Sequence, residues 1–125
     1  MKNYLRGKKI LVTGGTGFIG SALVKGLLAA GAEIRSLDND SRGLRTLERA
    51  QNDVERITGD IRDPDVVRKA VRGMECIYHL AYINGTEFFY DRPELVLEVA
   101  VKGMMNVLDA CVAEGVRDFI LASSS

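Results

Sequence analysis

The chain has 125 residues, enough for one domain built around one core. Its 17 basic and 17 acidic residues cancel, so no basic stripe offers itself to nucleic acid. No stretch is long and apolar enough to cross a membrane, and Met1 to Arg6 carry charge without the apolar run of a signal peptide. Cys76 and Cys111 are far apart and fall in apolar stretches, so they predict small core residues and no metal or redox motif. A cytoplasmic protein is the expectation.

Lys9 to Val12 is short and branched and predicts a buried strand. Ile19, Ala22, Leu23, Leu27 and Ala30 follow at helical spacing, and Gly31 is placed to cap that helix in the left-handed region. Gly14, Gly15, Gly17 and Gly20 therefore sit where a strand turns into a helix. There the free amides and the positive end of the helix dipole favour a phosphate, and glycines let a pyrophosphate approach the backbone. Two registers fit: Gly15, Gly17, Gly20 as G-x-G-x-x-G, or Gly14, Gly17, Gly20 as G-x-x-G-x-x-G.

The second strand, Glu33 to Leu37, leads into Asp38, eighteen residues after Gly20. In dinucleotide folds an acid about 20 residues on takes the ribose hydroxyls of NAD. Arg42 and Arg45 lie near enough in sequence to accept a 2′-phosphate, which leaves NADP open. After turn chemistry at residues 38–43 a short helix turns Leu44 and Leu47 inward. Val54 to Thr58 is a third strand, ending in Gly59-Asp60. Asp63 caps a helix with Pro64 at its first position, Val67, Ala70 and Val71 inward, and Gly73 at its end.

Cys76 to Ala81 is a fourth strand, and the loop from Tyr82 to Arg92 carries Asn84 and Gly85. Pro93 opens the longest helix, running to Glu114 and closed by Gly115, and Asp118 to Ala122 is a fifth strand. The alternation predicts an α/β fold: a Rossmann-type, doubly wound parallel sheet of order 3-2-1-4-5, with ligand at the carboxyl ends of the strands where the order reverses. The single histidine, His79, lies inside an apolar strand and reads as a packed, satisfied residue rather than a base.

Thr13-Gly14-Gly15-Thr16-Gly17-Phe18-Ile19-Gly20, followed by Leu37-Asp38-Asn39, resembles the extended short-chain dehydrogenase/reductase family, most closely its NAD-dependent nucleotide-sugar epimerases and dehydratases. The resemblance runs from Lys8 to Ser125. It implies NAD as cofactor, held by Gly14, Gly17, Phe18, Ile19, Gly20, Asp38 and Asn39. It further implies Asp60 and Ile61 at the adenine, and Leu80 and Ala81 beside the nicotinamide ribose. Ser124 takes the place of the family's catalytic Ser or Thr, with Ser123 or Ser125 if the register slips by one. Tyr82 stands where the family often has a small residue, and Ala100 where it usually has an Asn; Gly103 and Asn106 to Ala110 match.

The family's general base is a Tyr in a Tyr-x-x-x-Lys segment on the helix after strand five, and no such segment follows strand five here. Residues 1–125 are thus expected to be the amino-terminal, NAD-binding part of such an enzyme. The substrate-binding part would lie outside them, and they would not turn over a nucleotide sugar alone. A non-catalytic dinucleotide-binding module, or a reductase or steroid-type dehydrogenase, remains open. The helix from Pro93 to Glu114 carries more apolar positions than one buried stripe uses, which predicts a homodimer through it.

Overall fold

The structure is a computed structural model that describes residues 4–15, 18–39, 53–81 and 90–122, with Phe18 described in its backbone alone. Expectations for Gly17, the short helix with Leu44 and Leu47, Arg42 and Arg45, the stretch with Tyr82, Asn84 and Gly85, and Ser123 to Ser125 lie outside the described residues. Five strands form one parallel sheet: β1 (Lys9–Thr13), β2 (Glu33–Asp38), β3 (Val54–Thr58), β4 (Cys76–His79) and β5 (Asp118–Leu121). Their order is β3-β2-β1-β4-β5, the predicted one. It reverses between β2 and β4, on either side of β1, which puts the carboxyl end of β1 at the switch point.

The pleat explains why these strands are nearly continuous apolar runs: both faces are covered. Ile10 and Val12 point to one face, where they pack with Val24 and Leu27 of α1 (Phe18–Ala29) and with Ile34 and Val54. Leu11, Leu37 and Ile77 point to the other, against Val67, Ala70 and Val71 of α2 (Pro64–Val71) and Val107, Ala110 and Cys111 of α4 (Gly103–Glu114). Burying one Leu or Ile side chain completely is worth about 1.5–3 kcal/mol. Cys76 and Cys111 are free thiols within these clusters, and burial pushes the pKa of both up.

Local chemistry sets the ends. Asp63 accepts from the Asp65 amide at 3.0 Å, and Pro64 opens α2. Gly31, Gly73 and Gly115, with φ of +91°, +81° and +71°, close the three main helices. The apolar set expected for α1 is only partly inward: Leu27 is buried and Leu23 packs against the core, whereas Ile19 and Ala22 face solvent and Gly20, Ser21 and Val24 face the sheet.

The long helix from Pro93 to Glu114 is continuous but not uniform. It runs as α3 (Pro93–Leu97), a π turn over Glu98–Lys102, and α4. The fourth strand ends at His79 rather than Ala81: the Leu80 amide is shared between the Thr13 carbonyl and hydroxyl, and the Ala81 amide turns to that hydroxyl. The second strand runs one residue further than expected, through Asp38, and the fifth stops one short, at Leu121.

Candidate cofactor-binding site

The glycine turn leaves β1 at its carboxyl end. Gly14 adopts φ +77°, and its amide donates to the Leu37 carbonyl at 2.9 Å, so the chain turns while still tied to β2. A Cβ on Gly14 would come within 3.0 Å of the Ala81 amide nitrogen, and one on Gly20 would overlap the Gly14 carbonyl oxygen. Gly20 thus faces inward with backbone lying against it. The first turn of α1 packs closely on the glycine turn at the end of β1, and that turn lies against Ala81 after β4. A bulky, doubly charged pyrophosphate requires that geometry. Of the two glycine registers, the positive φ falls on Gly14, whereas the buried Gly15 lies against Ser36.

Thr13 locks the neighbouring edge. Its buried hydroxyl oxygen accepts from the Leu80 and Ala81 amides at 3.0 and 3.1 Å and lies 2.7 Å from His79 Nδ1. The Leu80 amide is shared with the Thr13 carbonyl at 3.1 Å, so the hydroxyl ties both amides and the imidazole into one small network. Burial pushes the pKa of His79 down to about 4, and its ring lies 6.2 Å from that of Phe119. His79 is therefore a packed, satisfied residue, as expected. Leu80 and Ala81 are held beside Gly14 by this lock, and the Ala122 amide donates to the His79 carbonyl at 3.2 Å. The chain thereby reaches the same edge just before the serines.

Asp38 ends β2 half-buried, with Asn39 exposed beside it. Its carbonyl accepts from the Gly59 amide at 3.0 Å, which joins the acid to the Asp60–Ile61 turn. The Asp60 carboxylate is held by the Arg62 guanidinium, which keeps its pKa below the usual carboxylate range. Ile61 is buried, and its carbonyl accepts from Asn106 at 2.9 Å. The fold thus brings Gly14, Gly20, Asp38, Asp60, Ile61, Leu80 and Ala81 to the carboxyl edge of the sheet.

Sequence reading did not single out Thr13, Arg62 or Glu98. Thr13 reads as the first residue of a glycine motif, and its partners are 66 to 68 residues away. One Tyr-x-x-x-Lys spacing does occur in the chain, at Tyr4 and Lys8. Lys8 bonds to the Tyr4 hydroxyl, lies 3.7 Å over its ring, and pairs with Asp118 at 3.1 Å. All three groups sit at the amino ends of the strands, opposite the glycine turn, so this pair ties the first residues to β5. Among the described residues no cluster of acids, His and Cys is arranged to hold a metal, and no helix is long and apolar enough to cross a membrane.

The NAD dependent epimerase/dehydratase family matches residues 10–125. UDP-glucose 4-epimerase of Streptomyces lividans is 36% identical over 120 residues, 94% of this chain and 36% of that protein. The 3 beta-hydroxysteroid dehydrogenase/Delta 5-->4-isomerase of Mycobacterium tuberculosis is also 36% identical, over 121 residues, 94% of this chain and 32% of that one. The crystal structure of Thermus thermophilus UDP-glucose 4-epimerase in complex with NAD superposes with a TM-score of 0.83 at 36% identity, covering 92% of this chain and 37% of that chain. The chain thus spans about a third of the length of these relatives. A glycine turn without side chains at a helix N-terminus, an acid ending β2 and a family match over nearly the whole chain agree: the chain belongs to the NAD-dependent epimerase/dehydratase family.

Proposed function

We propose that these residues are the NAD-binding part of an enzyme that epimerises or dehydrates a nucleotide sugar. The observation that carries the reading is the close approach of Gly20 to the Gly14 carbonyl, which admits no side chain and lets the helix N-terminus start directly at the end of β1, as a bound pyrophosphate needs. Gly14, Gly17 and Gly20, with the backbone of Phe18 and Ile19, would hold that pyrophosphate. Asp38 and Asn39 would take the adenine ribose hydroxyls, and a carboxylate there repels a 2′-phosphate. Asp60 and Ile61 would take the adenine, and the Leu80–Ala81 backbone would line the nicotinamide ribose.

NAD, when bound, supplies a reversible acceptor for the hydride of a sugar carbinol. Ser124 would hydrogen-bond the sugar hydroxyl and fix its direction. The proton of that hydroxyl needs a base near neutral pKa. His79 is not that base, since its Nδ1 is committed to Thr13 and its ring is buried. Within these residues no Tyr-x-x-x-Lys follows β5, so they are expected to bind NAD without turnover.

A homodimer completes the reading. Leu97, Val101, Met105, Leu108 and Val112 are all exposed and follow one another at helical spacing along α3, the π turn and α4. They form an apolar stripe opposite the sheet, suited to the same stripe of a second copy. Two free, buried thiols suit a reducing, cytoplasmic compartment. A second reading, a dehydrogenase of steroid-type substrates, has equal sequence identity behind it.

Calorimetry with NAD and NADP tests the cofactor assignment. NAD should bind the unaltered protein more tightly, and Asp38→Ala should weaken NAD more than NADP; tighter NADP in the unaltered protein overturns the selector argument. Product analysis by mass spectrometry with NAD and UDP-, dTDP- and GDP-sugars, set against a hydroxysteroid, separates the two substrate readings in a protein that includes the tyrosine and lysine.

A further inference from the structure

The turn read as the adenine contact is braced by groups outside the glycine motif. Asp60 accepts three hydrogens from Arg62. The backbone amide reaches Oδ1 at 2.8 Å, Nε is shared between the two oxygens at 3.0 Å each, and Nη2 reaches Oδ2 at 2.5 Å. The remaining arm of the guanidinium, Nη1, donates to Glu98 Oε2 at 3.0 Å. Glu98 is the first residue of the π turn. The next residue of the turn, Ile61, is clamped from the same helix: a Cβ on Gly103 would overlap its side chain, and Asn106 holds its carbonyl.

An arginine fixed between two carboxylates cannot swing, and its planar fork dictates the plane of the carboxylate it holds. Arg62 meets each oxygen of Asp60 twice, with the Nε hydrogen shared between them, so a further donor would share an oxygen with that bifurcated hydrogen. The Asp60 side chain is 37% exposed, so a ligand can reach it. Arginine beside it also keeps the carboxyl charged, and a charged carboxylate accepts without donating.

We propose that Arg62, braced by Glu98, is a positioning residue that holds the Asp60 carboxylate in the plane that reads the adenine amine, so that a dinucleotide carrying a carbonyl at that place is rejected. The inference rests on the reading of Asp60 as the adenine contact. An amine there donates to a held oxygen; a carbonyl sets oxygen against a held carboxylate. Without Arg62 the carboxylate is free to turn, and the distinction fades.

Calorimetry with NAD and with nicotinamide hypoxanthine dinucleotide, whose base carries a carbonyl in place of the amine, tests this. The unaltered protein should prefer NAD by about tenfold or more, the worth of one hydrogen bond to a charged group. R62L should bring the two affinities to within about threefold, E98Q should give an intermediate ratio, and R62K should restore part of it, as a charge without the fork. A ratio unchanged in R62L, including a parallel fall in both affinities, overturns the proposal. D60N separates the two levels: if it abolishes the preference while R62L keeps it, Asp60 reads adenine and Arg62 does not position it. If D60N leaves the preference intact, the adenine reading itself fails, and the proposal with it.

Discussion

Mild acid should weaken this fold through His79, and the size of the effect follows from its surroundings. The imidazole is 4% exposed, and burial lowers its pKa from 6.5 to about 4. The Thr13 hydroxyl beside Nδ1 already accepts from the Ala81 amide and shares the Leu80 amide with its own carbonyl, and among the described residues no carboxylate partners a charged ring. The folded pKa lies below the unfolded one, so the unfolded chain takes the proton first as pH falls. The contribution is therefore complete above about pH 6.5, declines by about 1.4 kcal/mol per pH unit, and is gone near pH 4. The whole drop amounts to about 3 kcal/mol, a large share of the 5–15 kcal/mol typical of a domain.

Urea unfolding followed by circular dichroism, from pH 7.5 down to pH 4.5, gives the curve for the unaltered protein and for His79→Gln. Glutamine keeps an acceptor near Thr13 but does not titrate. Subtracting one curve from the other cancels carboxylates such as Asp60 and Asp118, whose lowered pKa values make them lose stability at lower pH. The difference should be level above pH 7 and fall by about 2–3 kcal/mol towards pH 4.5. A difference that stays level across the range refutes the buried neutral imidazole.

Two substitutions of glycine by alanine should have opposite signs. Gly20→Ala places a methyl on the Gly14 carbonyl and should cost about 3 kcal/mol or more, along with NAD binding, whereas Gly26→Ala, with nothing near it on an exposed helix face, should gain about 0.5–1 kcal/mol; thermal unfolding measures both. Val101→Glu with Met105→Glu should convert a dimer to a monomer in light scattering, and a monomeric mass for the unaltered protein removes the dimer reading.

The sequence announced most of the fold because its signals are local. Asp63 before Pro64, and glycines at 31, 73 and 115, each specify a dihedral or a hydrogen bond within a few residues. The strand order followed from alternation and the right-handed crossover. The inward face of α1 followed only in part. Apolar periodicity favours Ile19 and Ala22, but the position that must face the sheet is Gly20, which carries no hydrophobic signal. Nor did the π turn, which uses ordinary helix residues. Its meaning lies in the contact of Glu98 with Arg62, 36 residues earlier. The Thr13 lock was hidden for the same reason, since a hydroxyl that joins two distant strand ends leaves no local pattern.

Equal identity to a sugar-nucleotide epimerase and to a steroid dehydrogenase has a physical explanation in these contacts. Gly14 is constrained by Ala81, Gly20 by Gly14, Ile61 by Gly103 and Asn106, and Leu80 by Thr13. Every one of those constraints lies at the carboxyl edge of the sheet, in the part of the fold that both relatives share with this chain. Likeness over this part therefore does not separate the two, and one fold hosts many chemistries. Discrimination must come from the walls around the substrate, which is why the sugar and steroid panel, rather than any further comparison of this part, decides between the two readings.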